Sequence, residues 1–121
     1  MAATAPYALH AFRALLDLHD GCMDAGLAEA GYHALTAAMH CAEASANREH
    51  LRLVLQRAEL RQRQVDMIQP PHRLSSHQAA WRSNTPVFAT LAITTKAALL
   101  RLKADAVLAE STARRRESQA T

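Results

Sequence analysis

Apolar residues recur at intervals of three and four along most of the chain, which is the period of one α-helical face. Near the centre of the chain this face consists of Leu51, Val54, Leu55, Ala58, Val65 and Ile68. Toward the C-terminus it consists of Phe88, Leu91, Thr95, Ala98, Leu99, Leu102 and Ala106. The pattern predicts amphipathic helices that each bury one face in a common core.

Glycine and proline residues divide this pattern into four predicted helices. They span about residues 6–20, 27–43, 47–68 and 86–110, and the last of them contains no breaker after its first position. Gly21 and Gly26 are expected to frame the first turn, and Ser45 or Asn47 to cap the third helix. Pro86 in the first helical position after a capping Thr85 is a strong start signal for the fourth.

The segment of residues 72–85 is long for a bare loop in a compact domain. Ser75 or Ser76 is predicted to cap a short helical turn that extends to Trp81. The complete prediction is an all-α, up-and-down four-helix bundle with a long C-terminal helix and a short helical turn in the helix 3–4 linker. One domain covers residues 1–121, with an ordered core of about 5–110 and a polar tail at 111–121.

Composition supports this fold class and argues against others. The 121 residues include 27 alanines, but only three glycines and four prolines. A β-sandwich or barrel needs turn residues every ~8–12 positions, which so few breakers cannot supply. The apolar fraction of 50% argues against disorder, and two cysteines are too few for a disulfide scaffold.

Charge is distributed unevenly along the chain. Residues 1–47 hold one arginine against five acidic residues, a net charge of −4, whereas residues 48–121 carry a net charge of +7. Such a chain can attract its own copies or an acidic partner. The positive charge is not gathered in one dense patch, which argues against nucleic acid as the partner.

The sequence predicts a cytoplasmic chain that does not contact a membrane. No run of residues approaches the ~18 consecutive apolar positions of a membrane-spanning helix. Residues 1–10 lack the basic start and the apolar run of a signal peptide. Cys22 and Cys41 are therefore expected to be reduced thiols.

The fourth predicted helix carries a second apolar stripe, which a bundle with one core does not require. The centre of this stripe lies about 145° around the helix from the main apolar face. A comparable line on the third helix has members seven residues apart. The two sets are Ile93, Ala97, Leu100, Ala104 and Val107 on helix 4, and Leu53, Leu60 and Met67 on helix 3.

Two interpretations of these stripes stay open. In the first, helix 4 lies at the centre of the bundle and is buried on both sides within one chain. In the second, the stripes form an interface, most simply a two-fold homodimer through helices 3 and 4. Aligned apolar residues on an exposed surface are typical of the second.

Seven histidines raise the question of a ligand or metal site. His33 and His40 share one polar line of helix 2, but about 10.5 Å along the axis separates them, too far for one ion to take both readily. His72 and His77 lie in the linker, where residues often bind ligands. These four are candidate ligand-binding residues, with solvated surface as the alternative. His19 is expected near a helix C-terminus, which favours a protonated imidazole.

The sequence contains no pattern that indicates catalysis. It has no glycine-rich phosphate loop, no Cys-x-x-Cys and no Gly-x-Ser-x-Gly. We therefore expect no catalytic residue, no metal and no cofactor. The first hypothesis is a non-enzymatic, self-associating interaction or assembly module. The alternative is a small-ligand or metal-binding bundle that uses the histidines of helix 2 and of the linker.

Overall fold

The computed structural model describes residues 4–68, 72, 74–76, 78 and 86–120, and these contain four long helices and no strand. The helices are α1 (Thr4–Asp24), α2 (Ala28–Ala44), α3 (Arg48–Ile68) and α4 (Val87–Ala120). The predicted all-α four-helix bundle is confirmed. Thr85, His77 and Trp81, about which the sequence makes predictions, lie outside the described residues.

Contacts between the helices define the up-and-down arrangement. Phe12 of α1 stacks on His50 of α3 with ring centroids 3.9 Å apart. Further along both helices, Asp20 binds Arg57, so α1 and α3 run in the same direction. Phe12, Leu35, Leu51, Val54 and Phe88 are the largest apolar side chains that are fully buried in the core.

The first turn lies later in the chain than predicted. Gly21 is helical, and α1 ends at Asp24 with Gly26 in the left-handed region at φ +78°. The Gly26 amide donates to the Met23 carbonyl, and the Leu27 amide donates to the Cys22 carbonyl. This is a Schellman motif, in which a glycine without Cβ strain ends the helix.

The α2–α3 turn uses the same geometry without glycine. Ala46 takes the left-handed conformation at φ 52°, and the Asn47 amide donates to the Ala42 carbonyl. Asn47 then caps α3, because its Oδ1 accepts the His50 amide at 3.0 Å. Of the two predicted caps for this helix, Asn47 is the one that makes the capping bond at the α3 start.

Side-chain hydrogen bonds fix the described part of the linker on α3. Asp66 accepts hydrogen bonds from the amide and the hydroxyl of Ser76, both at 2.6 Å. Ser75 accepts the Gln78 amide at 3.1 Å, as a cap of the helical turn to which Ser76 and Gln78 belong. Gln62 donates to the Leu74 carbonyl and accepts the Ala89 amide, so one side chain joins α3, the linker and the first turn of α4.

Helix α4 extends beyond the bundle. Its body half (residues 87–102) packs on α3 and α2, whereas every residue of its projecting half (residues 103–120) is exposed. The helix therefore continues past Glu110 to Ala120. Ala106 was predicted to lie in the core, but it is exposed because the bundle ends at Leu102. Ile68, also predicted as core, is exposed at the last position of α3.

Candidate interaction surface

The second apolar stripe of α4 is exposed along its whole length. Its large members, Ile93, Leu100 and Val107, are 62%, 67% and 56% exposed, and Ala97 and Ala104 are exposed between them. We call these five residues the α4 seam. The buried residues Phe88, Leu91, Thr95 and Ala98 lie on the opposite side of the helix. The described bundle does not bury α4 on both sides, so the first interpretation of the stripe is wrong.

One flank of the seam borders α3. Here a groove of about 340 Å³ runs between the start of α3 and the middle of α4. Four cationic side chains and two leucines line it, and its described lining residues include no acid. We call this the basic groove; its lining residues are Arg48, Arg52, Lys96, Leu99, Leu100 and Lys103. Leu100 belongs to both the groove and the seam, so the two form one continuous surface.

The other flank of the seam borders α2. Arg101 lies on this side and donates to Glu43 at the end of α2 at 3.2 Å. Both side chains are largely exposed to solvent, with 65% and 39% exposure, so the pair contributes little to stability. The seam is thus bordered by lysines on one side and by an intrachain ion pair on the other.

The apolar line of α3 does not join the α4 seam. Leu53 lines a separate groove of about 460 Å³ against α1, together with Phe12 and Leu16. Leu60 is half-buried, and Met67 is 80% exposed near the end of α3. Arg52 lines both grooves and lies between them. Of the interface residues predicted on helix 3, Leu53 therefore lies on a neighbouring surface, and neither Leu60 nor Met67 lines the basic groove.

The candidate histidines do not come together. His33 and His40 are exposed on α2, and neither lines the basic groove. The His72 Nδ1 accepts the Leu74 amide at 3.1 Å within the linker, and His77 lies outside the described residues. Among the residues that the structure describes, no group of three or more His, Cys, Asp or Glu side chains is arranged to hold a metal ion.

A polar cluster around the buried His19, between α1, α2 and α3, is a feature that the sequence did not predict. His19 is fully buried, and its Nδ1 donates to the Gly31 carbonyl of α2 at 2.6 Å. Its Nε2 accepts from Arg61 Nε at 3.1 Å. Because a guanidinium can only donate, this nitrogen carries no proton and the imidazole is neutral. We call His19, Asp20, Arg57 and Arg61 the histidine cluster.

Electrostatics in the histidine cluster follow from this geometry. Burial is the main cause that lowers the pKa of His19, and the nearby Arg61 charge lowers it further. Asp20 accepts both arginines: Arg57 in a two-pronged pair at 3.0 Å and Arg61 at 2.7 Å. The Arg57 hydrogen bond is the main cause that lowers the pKa of Asp20. The expectation of a protonated His19 near a helix end was wrong, because α1 continues to Asp24 and α3 covers the ring.

The sequence offered a partial signal for these features. Arg48 and Arg52 are four residues apart, and Lys96 and Lys103 are seven apart, so each pair shares a helix face. The two pairs meet in one groove only because α3 and α4 lie side by side, and no local pattern in the sequence indicates that arrangement. For the histidine cluster, Asp20 and Arg61 are distant in the chain, and no local pattern connects them.

Comparisons with protein-family models, with curated proteins and with solved structures find no match to this chain. None of the described helices combines the length and the apolar character that crossing a membrane requires.

Proposed function

We propose that this chain is a non-enzymatic self-association module that joins copies of itself through the α4 seam. The observation that carries the proposal is the line of exposed apolar side chains, Ile93, Leu100 and Val107, on a helix that leaves its own bundle. Aligned exposed apolar residues favour burial against a partner, because water contact with them is unfavourable.

The spacing of the seam supports a helix as the opposing surface. Its residues are separated by four, three, four and three positions, which is the repeat of two helices that pack side by side. The alanines at positions 97 and 104 alternate with larger side chains, so a second helix can approach closely there. The seam on residues 93–107 is about 21 Å long, enough for two heptads.

In this proposal the histidine cluster has a structural role. His19, Asp20, Arg57 and Arg61 satisfy one another and join α1, α2 and α3. Their role is to hold the body of the bundle, from which α4 extends. The alternative of a metal- or ligand-binding bundle draws no support from the positions of His33 and His40, which are exposed and apart from the groove.

The test is the molecular mass of the wild-type chain in solution across the micromolar range, compared with that of Leu100→Glu. We expect a dimer that Leu100→Glu converts to a folded helical monomer, because the charge would be buried in the seam. Leu18→Glu is the matched control, since Leu18 is 57% exposed on α1, away from the seam. A wild-type chain that stays monomeric at high micromolar concentration contradicts the proposal.

A further inference from the structure

We infer that the second copy pairs antiparallel with the first, so that the acidic side of its projecting half runs along the lysine flank and the basic groove. This inference rests on the proposed function, because it takes the α4 seam as the contact. It adds the orientation of the partner and the residues that determine it.

Charge is segregated along the α3-facing flank of the seam. The positions immediately before the seam residues Ala97 and Ala104 are Lys96 and Lys103. Continued by the same seven-residue step, this flank reaches Glu110 and then Glu117. This flank therefore carries lysines at positions 96 and 103, on the body half and at the start of the projecting half, and glutamates at positions 110 and 117 beyond them.

Parallel pairing opposes like charges at the lysine flank. In a parallel helix pair, a residue on this flank lies opposite the partner residue five positions later on the other flank. Lys96 would then face Arg101 of the second copy, while Lys103 would face Leu108. Only Glu110 would meet an opposite charge, at Arg115.

Antiparallel pairing brings the same flank of the two copies together, with the chain direction reversed. In the register that places Glu110 opposite Lys103 of the second copy, Glu117 lies opposite Lys96, and the two-fold axis repeats both contacts. Glu110 already bonds Arg114 of its own chain at 3.3 Å, but both side chains are 66% or more exposed. An exposed pair of this kind is weak enough to rearrange on association.

The basic groove strengthens this preference. Arg48 and Arg52 of α3 add two cations beside Lys96 and Lys103, and the described lining includes no acid to neutralise them. A glutamate that approaches the lysine flank from a second copy therefore enters a site with four positive side chains. The projecting half is about 27 Å long, which exceeds the seam that it would cover.

The deciding experiment reverses the charge on each side separately. In Lys96→Glu/Lys103→Glu the whole flank becomes acidic, and antiparallel pairing then opposes glutamates to glutamates. We expect the dimer dissociation constant, measured by sedimentation, to rise about tenfold at low salt, because several exposed charge pairs change from attraction to repulsion and each contributes little. Parallel pairing predicts the opposite sign, because the glutamate introduced at position 96 would face Arg101 of the second copy.

The complementary variant is Glu110→Lys/Glu117→Lys, in which the whole flank becomes basic. Alone, it should also associate more weakly than the wild type. Mixed in equal amounts, the two variants should form a heterodimer at least as tight as the wild-type dimer, detected by titrating a fluorescently labelled copy of one with the other. The differences should shrink at about 1 M salt, where charges are screened beyond ~3 Å.

The outcomes separate this inference from the function on which it rests. A wild-type monomer overturns both. A wild-type dimer that Leu100→Glu dissociates, but that Lys96→Glu/Lys103→Glu leaves unchanged or tightens, keeps the self-association and overturns the antiparallel arrangement. The inference is supported if Lys96→Glu/Lys103→Glu associates more weakly than the wild type and if mixing it with Glu110→Lys/Glu117→Lys restores the association.

Discussion

The two halves of α4 share one continuous helix but are stabilised by different interactions. In the body half, Phe88, Leu91, Thr95 and Ala98 are buried against the bundle, and Gln62 of α3 accepts the Ala89 amide in the first turn. In the projecting half, every side chain is exposed. Backbone hydrogen bonds and exposed local pairs such as Arg114–Glu110 are the contacts described there.

This difference shows where tertiary structure ends and association is expected to begin. An isolated helix of about 18 residues is only marginally stable in water, because nucleation is costly and each added hydrogen bond contributes little. Because its described side chains are all exposed, the projecting half gains from burying its apolar residues against another surface. The exposed Val107 and Leu108 make such burial favourable.

The largest expected effect comes from breaking the body half. Phe88→Ala removes a ring that is fully buried and meets Tyr32 edge-on at 5.8 Å between centroids. The resulting cavity should lower the free energy of unfolding by about 3–5 kcal/mol, measured by urea denaturation. Val107→Ala is the control in the projecting half, and in a monomeric background it should change this free energy by less than about 0.5 kcal/mol. Equal effects of the two substitutions would show that the halves do not differ.

A smaller effect is expected from acid, and it should arise in the body of the bundle. Burial lowers the pKa of His19 below its ordinary value of 6.5, so the unfolded chain binds a proton more readily than the folded one. The stability that depends on the neutral ring is complete above pH 6.5 and is lost as the pH falls from there through the folded pKa. His50 has a lowered pKa, mainly through burial, and adds to the same trend.

The measurement for this prediction is urea denaturation at several pH values between about 7.5 and about 5, which bracket the ordinary histidine pKa. His19→Asn should flatten the decline, because its side chain does not titrate and can still donate to the Gly31 carbonyl. His33→Gln, at an exposed position of α2, should leave the decline as in the wild type. If the His19 and His33 variants decline alike, the neutral ring in the cluster is not the source.

The smallest expected effect on stability comes from removing the projecting half. A chain that ends at Lys103 keeps only the first residue of this half and should unfold within about 0.5 kcal/mol of the monomeric Leu100→Glu variant, since every deleted residue that the structure describes is exposed. Its self-association should nevertheless be lost, as sedimentation would show. A decrease in unfolding free energy of more than about 1 kcal/mol would mean that this half supports the body.

Much of the fold could be predicted because it depends on local patterns. The three-and-four spacing of Leu51, Val54 and Ala58 indicates a buried helical face, and Asn47 before α3 indicates a cap. The end of α1 was misplaced because Gly21 was taken as a breaker. A glycine costs a helix interior only about 1 kcal/mol, and the packing of α1 along α2 outweighs that cost.

The site was predictable only in part, for the same physical reason. The sequence indicates the α4 seam because Ile93, Leu100 and Val107 lie outside the apolar helical face that contains Phe88 and Leu91. By contrast, His19 and Arg61 become partners only when α1 and α3 are brought together, 42 residues apart in the chain. Contacts of this kind depend on tertiary packing, which a periodic pattern does not encode.

The continuity of α4 has a mechanical consequence. Because no helix-breaking residue separates its two halves, packing of the body half on the bundle also fixes the rotation of the projecting half about the helix axis. One residue inserted after Leu102 would rotate Ala104 and Val107 by about 100° away from Ile93 and Leu100, whereas seven residues would restore the azimuth to within about 20°. The length of this junction is therefore constrained in steps, even though the side chains beyond it are exposed.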